Sequence, residues 1–154
     1  MSRVSWNEYF MQIAEQVSTR ATCNRLHVGA VVVRDKTILS TGYNGSIKGT
    51  PHCDDADHQM VDGHCVRTVH AEANSLIQAA RNGVKIEGAE MYVTAFPCYG
   101  CFKLIANSGI KTVFFRNAYR VDEKVLEAAK TIGLNLVKLE EKEEEVKALP
   151  PTEF

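Results

Sequence analysis

The sequence predicts an α/β fold, a mixed sheet of five strands covered by helices on both faces. Two observations predict it. Apolar runs of strand length alternate with segments of helical period, in the order α-β-β-α-β-α-β-α-β. The chain, 154 residues with 45% hydrophobic and 24% charged, is also the length of one domain that can bury a core without disulfide support. No internal repeat and no linker divides it. Residues 1–154 therefore read as a single domain, with its core over about 5–139.

The first element is a helix from about Ser5 to Ser18. Ser5-Trp6-Asn7-Glu8 has the form of a capping box, a hydroxyl followed three residues later by a carboxylate. Tyr9, Phe10, Ile13, Ala14 and Val17 then recur at helical spacing. Val28 to Val33 is the longest apolar run and has the length of a buried strand. Thr37 to Tyr43 reads as its partner across a tight turn at Arg34-Asp35-Lys36. Asn44 to Val69 has no clean period and is rich in Gly, Asp and His; loops that long inside a domain are usually functional. Helical spacing resumes at Ala73, Leu76, Ile77 and Ala80 and stops at Asn82-Gly83. A short strand, Met91 to Ala95, is punctuated by Pro97. Cys98 to Ser108 reads as a helix, Lys111 to Phe115 as a strand, Asp122 to Ile132 as a helix and Leu134 to Leu139 as the last strand. Residues 140–154 are an acidic tail, with a charge run from Glu140 to Glu145 ahead of Pro150-Pro151.

Charge and cysteine content narrow the function. A net charge of -1 and a pI near 6.5 lack the basic excess of a general nucleic-acid binder. The N-terminus has no charged-then-apolar leader, and no apolar stretch approaches the roughly 18 residues of a membrane span. Five cysteines is an odd number, and two of them form Cys98-x-x-Cys101. That favours metal ligands in a reducing, cytoplasmic setting over a disulfide framework.

The chemistry concentrates in His70-Ala71-Glu72 and Pro97-Cys98-Tyr99-Gly100-Cys101. One imidazole and two thiolates hold a zinc ion on three sides, and an open fourth position marks a catalytic site where a structural one would be closed. Glu72, not itself a ligand, is placed to move protons. The H-x-E…P-C-x-x-C arrangement is a known signature of zinc deaminases. Both halves fall where the chain enters a helix, whose first turn offers unpaired N–H groups and the positive end of the dipole. A C-x-x-C alone would suit a closed structural site, and an H-x-E alone would mean little. Together each completes the other.

At these residues the chain resembles the cytidine and deoxycytidylate deaminase superfamily, and within it the deoxycytidylate (dCMP) deaminase branch with its late-competence members. The resemblance spans roughly residues 5–139. It rests on Cys23-Asn24-Arg25 ahead of Val28-Gly29-Ala30-Val31, Gly42-Tyr43-Asn44-Gly45-Ser46, His70-Ala71-Glu72-Ala73-Asn74, Gly88-Ala89-Glu90-Met91-Tyr92-Val93-Thr94 and Pro97-Cys98-x-x-Cys101. It implies a three-layer α/β/α sandwich around a five-stranded mixed sheet, and zinc-dependent hydrolysis of dCMP to dUMP and ammonia for thymidylate synthesis. It also implies a homo-oligomer, a hexamer in many members, with dCTP and dTTP as effectors and Mg2+ accompanying them. Arg81, in Arg81-Asn82-Gly83, falls where members contact neighbouring subunits or effectors. Tyr99 departs from the small residue, proline or aspartate found in many members.

Substrate contacts are expected from Arg25, Asn44, Ser46, Ala71, Asn74 and Tyr119. Arg25 and Ser46 are candidates for the monophosphate, where a guanidinium binds bidentately; Arg25 as a plain surface charge is the alternative. Asn44 can face base or sugar or serve the Asn-Gly turn. Asn74 can face the sugar or cap the site, and Tyr119 can stack on the pyrimidine or pack in the core. The remaining cysteines suggest a second, structural zinc held by Cys53, His58 and Cys65, closed by Cys23, with His52 and His64 as alternative fourth ligands. Free thiols are the alternative there. Competing activities are a tRNA adenosine deaminase, which would need a basic surface, the deaminase half of a riboflavin-pathway enzyme, a free cytidine deaminase, and a zinc-binding module without activity.

Overall fold

The computed structural model describes residues 2–140. Its elements run α1 (Trp6–Ser18), β1 (Gly29–Arg34), β2 (Thr37–Tyr43), β3 (Gly45–Ser46), β4 (Met60–Val61), β5 (His64–Cys65), β6 (Thr68–Val69), α2 (Ala71–Arg81), β7 (Glu90–Ala95), α3 (Tyr99–Asn107), β8 (Thr112–Asn117), α4 (Glu123–Ile132) and β9 (Asn135–Lys138). The main sheet has the order β2-β1-β7-β8-β9. β1 pairs antiparallel with β2 and β7, whereas β7, β8 and β9 run parallel. The acidic tail beyond residue 140 lies outside the described residues.

The unbroken apolar run of β1 reflects burial on both faces. Ala30 and Val32 point into one core with Met91, Val93, Phe102, Ile105 and Val125, which α2, α3 and α4 cover. Val31 and Val33 point the other way, onto Tyr92 and the Phe10, Met11 and Ala14 face of α1. Three layers result. At roughly 1.5–3 kcal/mol for each large apolar side chain fully buried, these two cores provide the main adhesion between layers.

Ends are set by local chemistry. Ser5 caps α1 by accepting from the Glu8 N–H at 3.2 Å, Asp122 caps α4 through the Lys124 N–H at 2.9 Å, and Asn82-Gly83 closes α2 with Gly83 at φ 64°. The β1–β2 turn uses Asp35 and Lys36 at φ 50° and 61°, and the Lys36 ammonium sits 5.6 Å from the Trp6 ring centre. Residues 44–69, expected as irregular, contain two small antiparallel ladders, β3 with β6 and, between them, the hairpin β4 with β5. Two-residue strands carry no sequence period, which is why the segment reads as loop. Gly42 lets β2 lie against α2: a Cβ there would run into the Ser75 nitrogen and Ala71 oxygen and come 2.9 Å from the Asn74 carbonyl carbon. No helix among the described residues is long and apolar enough to cross a membrane.

Candidate active site and metal centres

Two strand-to-helix junctions build the centre. β6 runs into His70, the N-cap of α2, and β7 runs through Pro97 into Cys98, the N-cap of α3. Both caps have extended backbone, which turns their side chains towards each other. The His70 Nδ1 lies 3.5 Å from the Cys98 Sγ and 3.4 Å from the Cys101 Sγ. Tetrahedral zinc with ordinary Zn–N and Zn–S bonds separates such atoms by about 3.6 Å, so the three side chains stand ready to hold the ion.

Electrostatics agree. The Cys98 sulfur accepts from the Cys101 N–H at 3.4 Å. Hydrogen bonding from the Cys101 side chain, then from His70, lowers the Cys98 thiol to about 4. Cys101 is pushed up by sharing that bond with the Cys98 thiolate and by burial, and His70 is raised by its bond to Cys98. A metal cation reverses the penalty on Cys101, because coordination deprotonates a thiol. Glu72, on the first turn of α2, is 5% exposed, and loss of solvation raises its carboxyl above the usual carboxylate range. It faces the triad without being grouped with the ligands.

His70, Cys98 and Glu72 line a cavity of about 950 Å³, and Cys101 stands outside its lining residues. Arg25, Asn44, Ala71 and Tyr119 also line it. Asn44 spends much of its amide on the chain itself: Nδ2 donates to the Leu26 carbonyl at 2.7 Å and Oδ1 accepts from the Val28 N–H at 2.8 Å, which fixes the segment carrying Arg25. Ser46 and Asn74 stand outside the lining residues. The Ser46 Oγ is buried with no hydrogen-bond partner among the described residues, and Asn74 Nδ2 donates to the carbonyls of Tyr43 and Val69. Arg81 is exposed at the last turn of α2.

Two residues at the cavity mouth were not read as substrate contacts in the sequence, Arg120 and His64, whose Nη1 and Nδ1 are 3.4 Å apart. Arg120 directly follows Tyr119 beyond the end of β8, so the signal that singled out the tyrosine was there for its neighbour.

A second cluster lies behind the same wall. Cys23, Cys53 and His58 offer ligand atoms all within 4.8 Å of one another. The Cys23 Sγ is 3.9 Å from the His58 Nδ1, and the Cys53 Sγ is 3.9 Å from the Cys65 Sγ. Two zinc-bound sulfurs lie about 3.8 Å apart, so Cys53 and Cys65 have ligand spacing, while Cys65 stands outside the group that Cys23, Cys53 and His58 form. His64 turns instead to Arg120, and His52 is exposed.

Helix-start ligands beside a buried free carboxylate, on an α/β/α sheet, define the zinc-dependent hydrolytic deaminases. The chain belongs to the cytidine and deoxycytidylate deaminase family, whose zinc-binding-region profile matches residues 4–117. It is 45% identical over 140 residues to ComE operon protein 2 of Bacillus subtilis, covering 91% of this chain and 74% of that protein. To the deoxycytidylate deaminase of Mycobacterium phage D29 it is 42% identical over 127 residues, covering 75% of this chain and 97% of the phage protein. Among solved structures it is similar to the dCMP deaminase of cyanophage S-TIM5 in complex with dCMP and dUMP, with TM-score 0.77 and 32% identity, covering 90% of this chain and all of that one (100%).

Proposed function

We propose that the protein hydrolyses dCMP to dUMP and ammonia. One observation supports this reading above the others: the cavity joins a buried carboxylate and metal-ligand triad to three basic groups, Arg25, His64 and Arg120, at its exposed mouth. A pyrimidine mononucleotide has the matching chemistry, an amidine carbon at one end and a monophosphate at the other. When bound, zinc supplies Lewis acidity and a water ionised near neutral pH. Glu72 accepts the proton of the attacking water and delivers it to N3 of the ring. A second proton passes through the same carboxyl to the amine, so that the C4–N bond breaks and ammonia leaves. The dry environment that raises Glu72 makes it a competent acid as well as a base. Unpaired N–H groups in the first turn of α2, beginning at Ala71, face the ring. Tyr119, 64% exposed, covers the mouth.

The Cys23, Cys53, His58 and Cys65 cluster holds a second, structural zinc that fixes the cavity wall; the grouping of Cys23, Cys53 and His58 and the 3.9 Å approach of Cys65 to Cys53 support it. The protein works in the cytoplasm as a homo-oligomer, with Arg81 at a subunit or effector contact and dCTP, dTTP and Mg2+ as regulators. Free thiols and the kinship support that part. Ammonia release from dCMP, dCTP, cytidine and a tRNA substrate, measured side by side, tests the reading: dCMP should dominate. Arg25→Ala should lower kcat/KM far more for dCMP than for deoxycytidine. Equal losses would assign Arg25 a structural role, and no ammonia from any of the four would leave a zinc-binding module.

A further inference from the structure

The wall carrying Tyr119, Arg120, Val121 and Asp122 is the turn that leaves the end of β8. Core packing holds only its first residue, Ala118, while Tyr119 and Val121 are exposed. Among the described residues, its other side faces a cleft of about 390 Å³, lined by Leu26, His27, Arg116, Asn117, Tyr119 and Lys138. Tyr119 and Leu26 thus divide two cavities, and the position of the turn depends on its ends. Asp122 caps α4 at the far end. At the near end, Phe96 donates its N–H to the Asn117 carbonyl at 2.7 Å, and Arg116 lies between two carboxylates of α1. Its Nη2 is 2.6 Å from the Glu8 carboxylate and its Nη1 2.5 Å from that of Glu15, with the arginine side chain only 6% exposed.

A buried ion cluster is weak evidence for stability, since well-packed apolar residues often do as well in its place. Phe10, Met11 and Ala14 already dock α1 on the sheet. What a guanidinium adds is direction, because its planar fork accepts carboxylates only in fixed orientations. Here the fork is clamped one residue before the end of β8 and three before Tyr119.

We propose that Arg116, held by Glu8 and Glu15, is a positioning residue for substrate binding: it sets the turn that places Tyr119 and Arg120 over the cavity. The inference rests on the proposed reading of Arg120 as a monophosphate contact.

The test compares the intact protein with Glu8→Gln/Glu15→Gln/Arg116→Met, which removes all three charges together and strands none in the interior. The expected result is a KM for dCMP raised about tenfold with kcat changed no more than about threefold, the pattern of lost substrate binding. KM for deoxycytidine should move little. Amide exchange should quicken in residues 117–122 and stay as it was in Val113–Phe115. Unchanged KM and unchanged exchange in the turn would overturn the proposal. So would equal KM rises for both substrates with faster exchange throughout β8, which is what loosened structure alone would give. Should the triple variant fail to fold, Glu15→Gln keeps Arg116 paired with Glu8 and should shift KM for dCMP the same way by a smaller factor; no shift there refutes the proposal. If the unmodified protein shows no preference for dCMP over deoxycytidine, the functional reading fails, and the exchange comparison still decides the role of Arg116.

Discussion

Replacing Gly42 by alanine would press β2 against the helix that carries both His70 and Glu72. The new Cβ would strike the Ser75 nitrogen and Ala71 oxygen and lie 2.9 Å from the Asn74 carbonyl carbon, where ordinary contact begins near 3.4 Å. The shortfall is half an ångström at the most distant of the three and larger at the other two. All are backbone atoms, so no side chain can swing aside. α2 must back away by about 1 Å, a displacement that costs on the order of 10²-fold in activity when it reaches reacting groups. Metal sites tolerate ligand-distance errors of only about 0.2 Å. The His70 contacts to Cys98 and Cys101 would exceed that. Overpacking adds a stability loss of about 1–3 kcal/mol or more. Gly29→Ala is the matched control, because its Cβ collides with Ala14 and Ser18 of α1, on the opposite face of the sheet. The assay is zinc retention across a graded chelator series, with turnover and thermal melting on the same samples. Both variants should melt early, but only Gly42→Ala should lose catalytic zinc readily. If Gly42→Ala retains zinc and turns over like the parent, the claim that this glycine sets the seat of α2 is wrong.

Glu72→Gln should keep its metal and lose about 10²–10⁴-fold in kcat, equivalent to about 3–5 kcal/mol of barrier, as read by ammonia release. Near-normal turnover would remove Glu72 from proton transfer. Metal analysis of fully loaded protein should give two zincs per chain (roughly one in Cys53→Ser), since both donor sets suit the ion. One zinc in the parent, with the other three thiols freely titratable, would dismiss the second centre. Burial raises the Tyr92 phenol from 10.0 to about 12. Its folded form therefore holds the proton more tightly than the unfolded chain, and that stability is complete below pH 10 and is lost as pH rises towards 12. Denaturant titrations between those limits should show a shallower alkaline decline for Tyr92→Phe, although it also loses the 2.7 Å bond to Asn7. Identical slopes would mean that other groups govern the alkaline limb.

The metal triad was legible because each half carries its own local signal. His70 and Cys98 precede apolar helical periods, and Pro97 marks the helix entry, so both junctions could be located before any contact was known. The two-face core was legible in β1 for a similar reason: a run without polar residues has nowhere to sit but between layers. Other parts depend on contacts far apart in sequence. Arg116 is one cation in a strand whose meaning comes from Glu8 and Glu15, more than 100 residues earlier. Asn44 reads equally as a turn residue or a ligand contact, and only the Leu26 and Val28 bonds reveal the clamp it forms. Ser46 and Asn74 were placed near the substrate by sequence neighbourhood alone. In the fold Asn74 donates to the Tyr43 carbonyl, and the Ser46 Oγ is buried outside the residues that line the cavity.

The strand order β2-β1-β7-β8-β9 has a consequence for the moment of synthesis. Once the β1–β2 hairpin exists, β7 joins at the free edge of β1, and β8 and β9 each join at the edge left by the strand before, in the order in which the chain emerges. No strand has to be threaded between two that are already paired. From β7 onward the growing edge is the newest strand, and the opposite edge, β2, is covered by α2, whose Gln78 side chain accepts the Thr41 N–H at 2.8 Å. The thiols and imidazole of the Cys23–Cys65 cluster are all translated before Cys98 and Cys101. For the proposed second zinc, this order means that its donors are complete before the catalytic triad is. The donor set of the reacting centre is thus completed only once three of the five strands of the main sheet have been made.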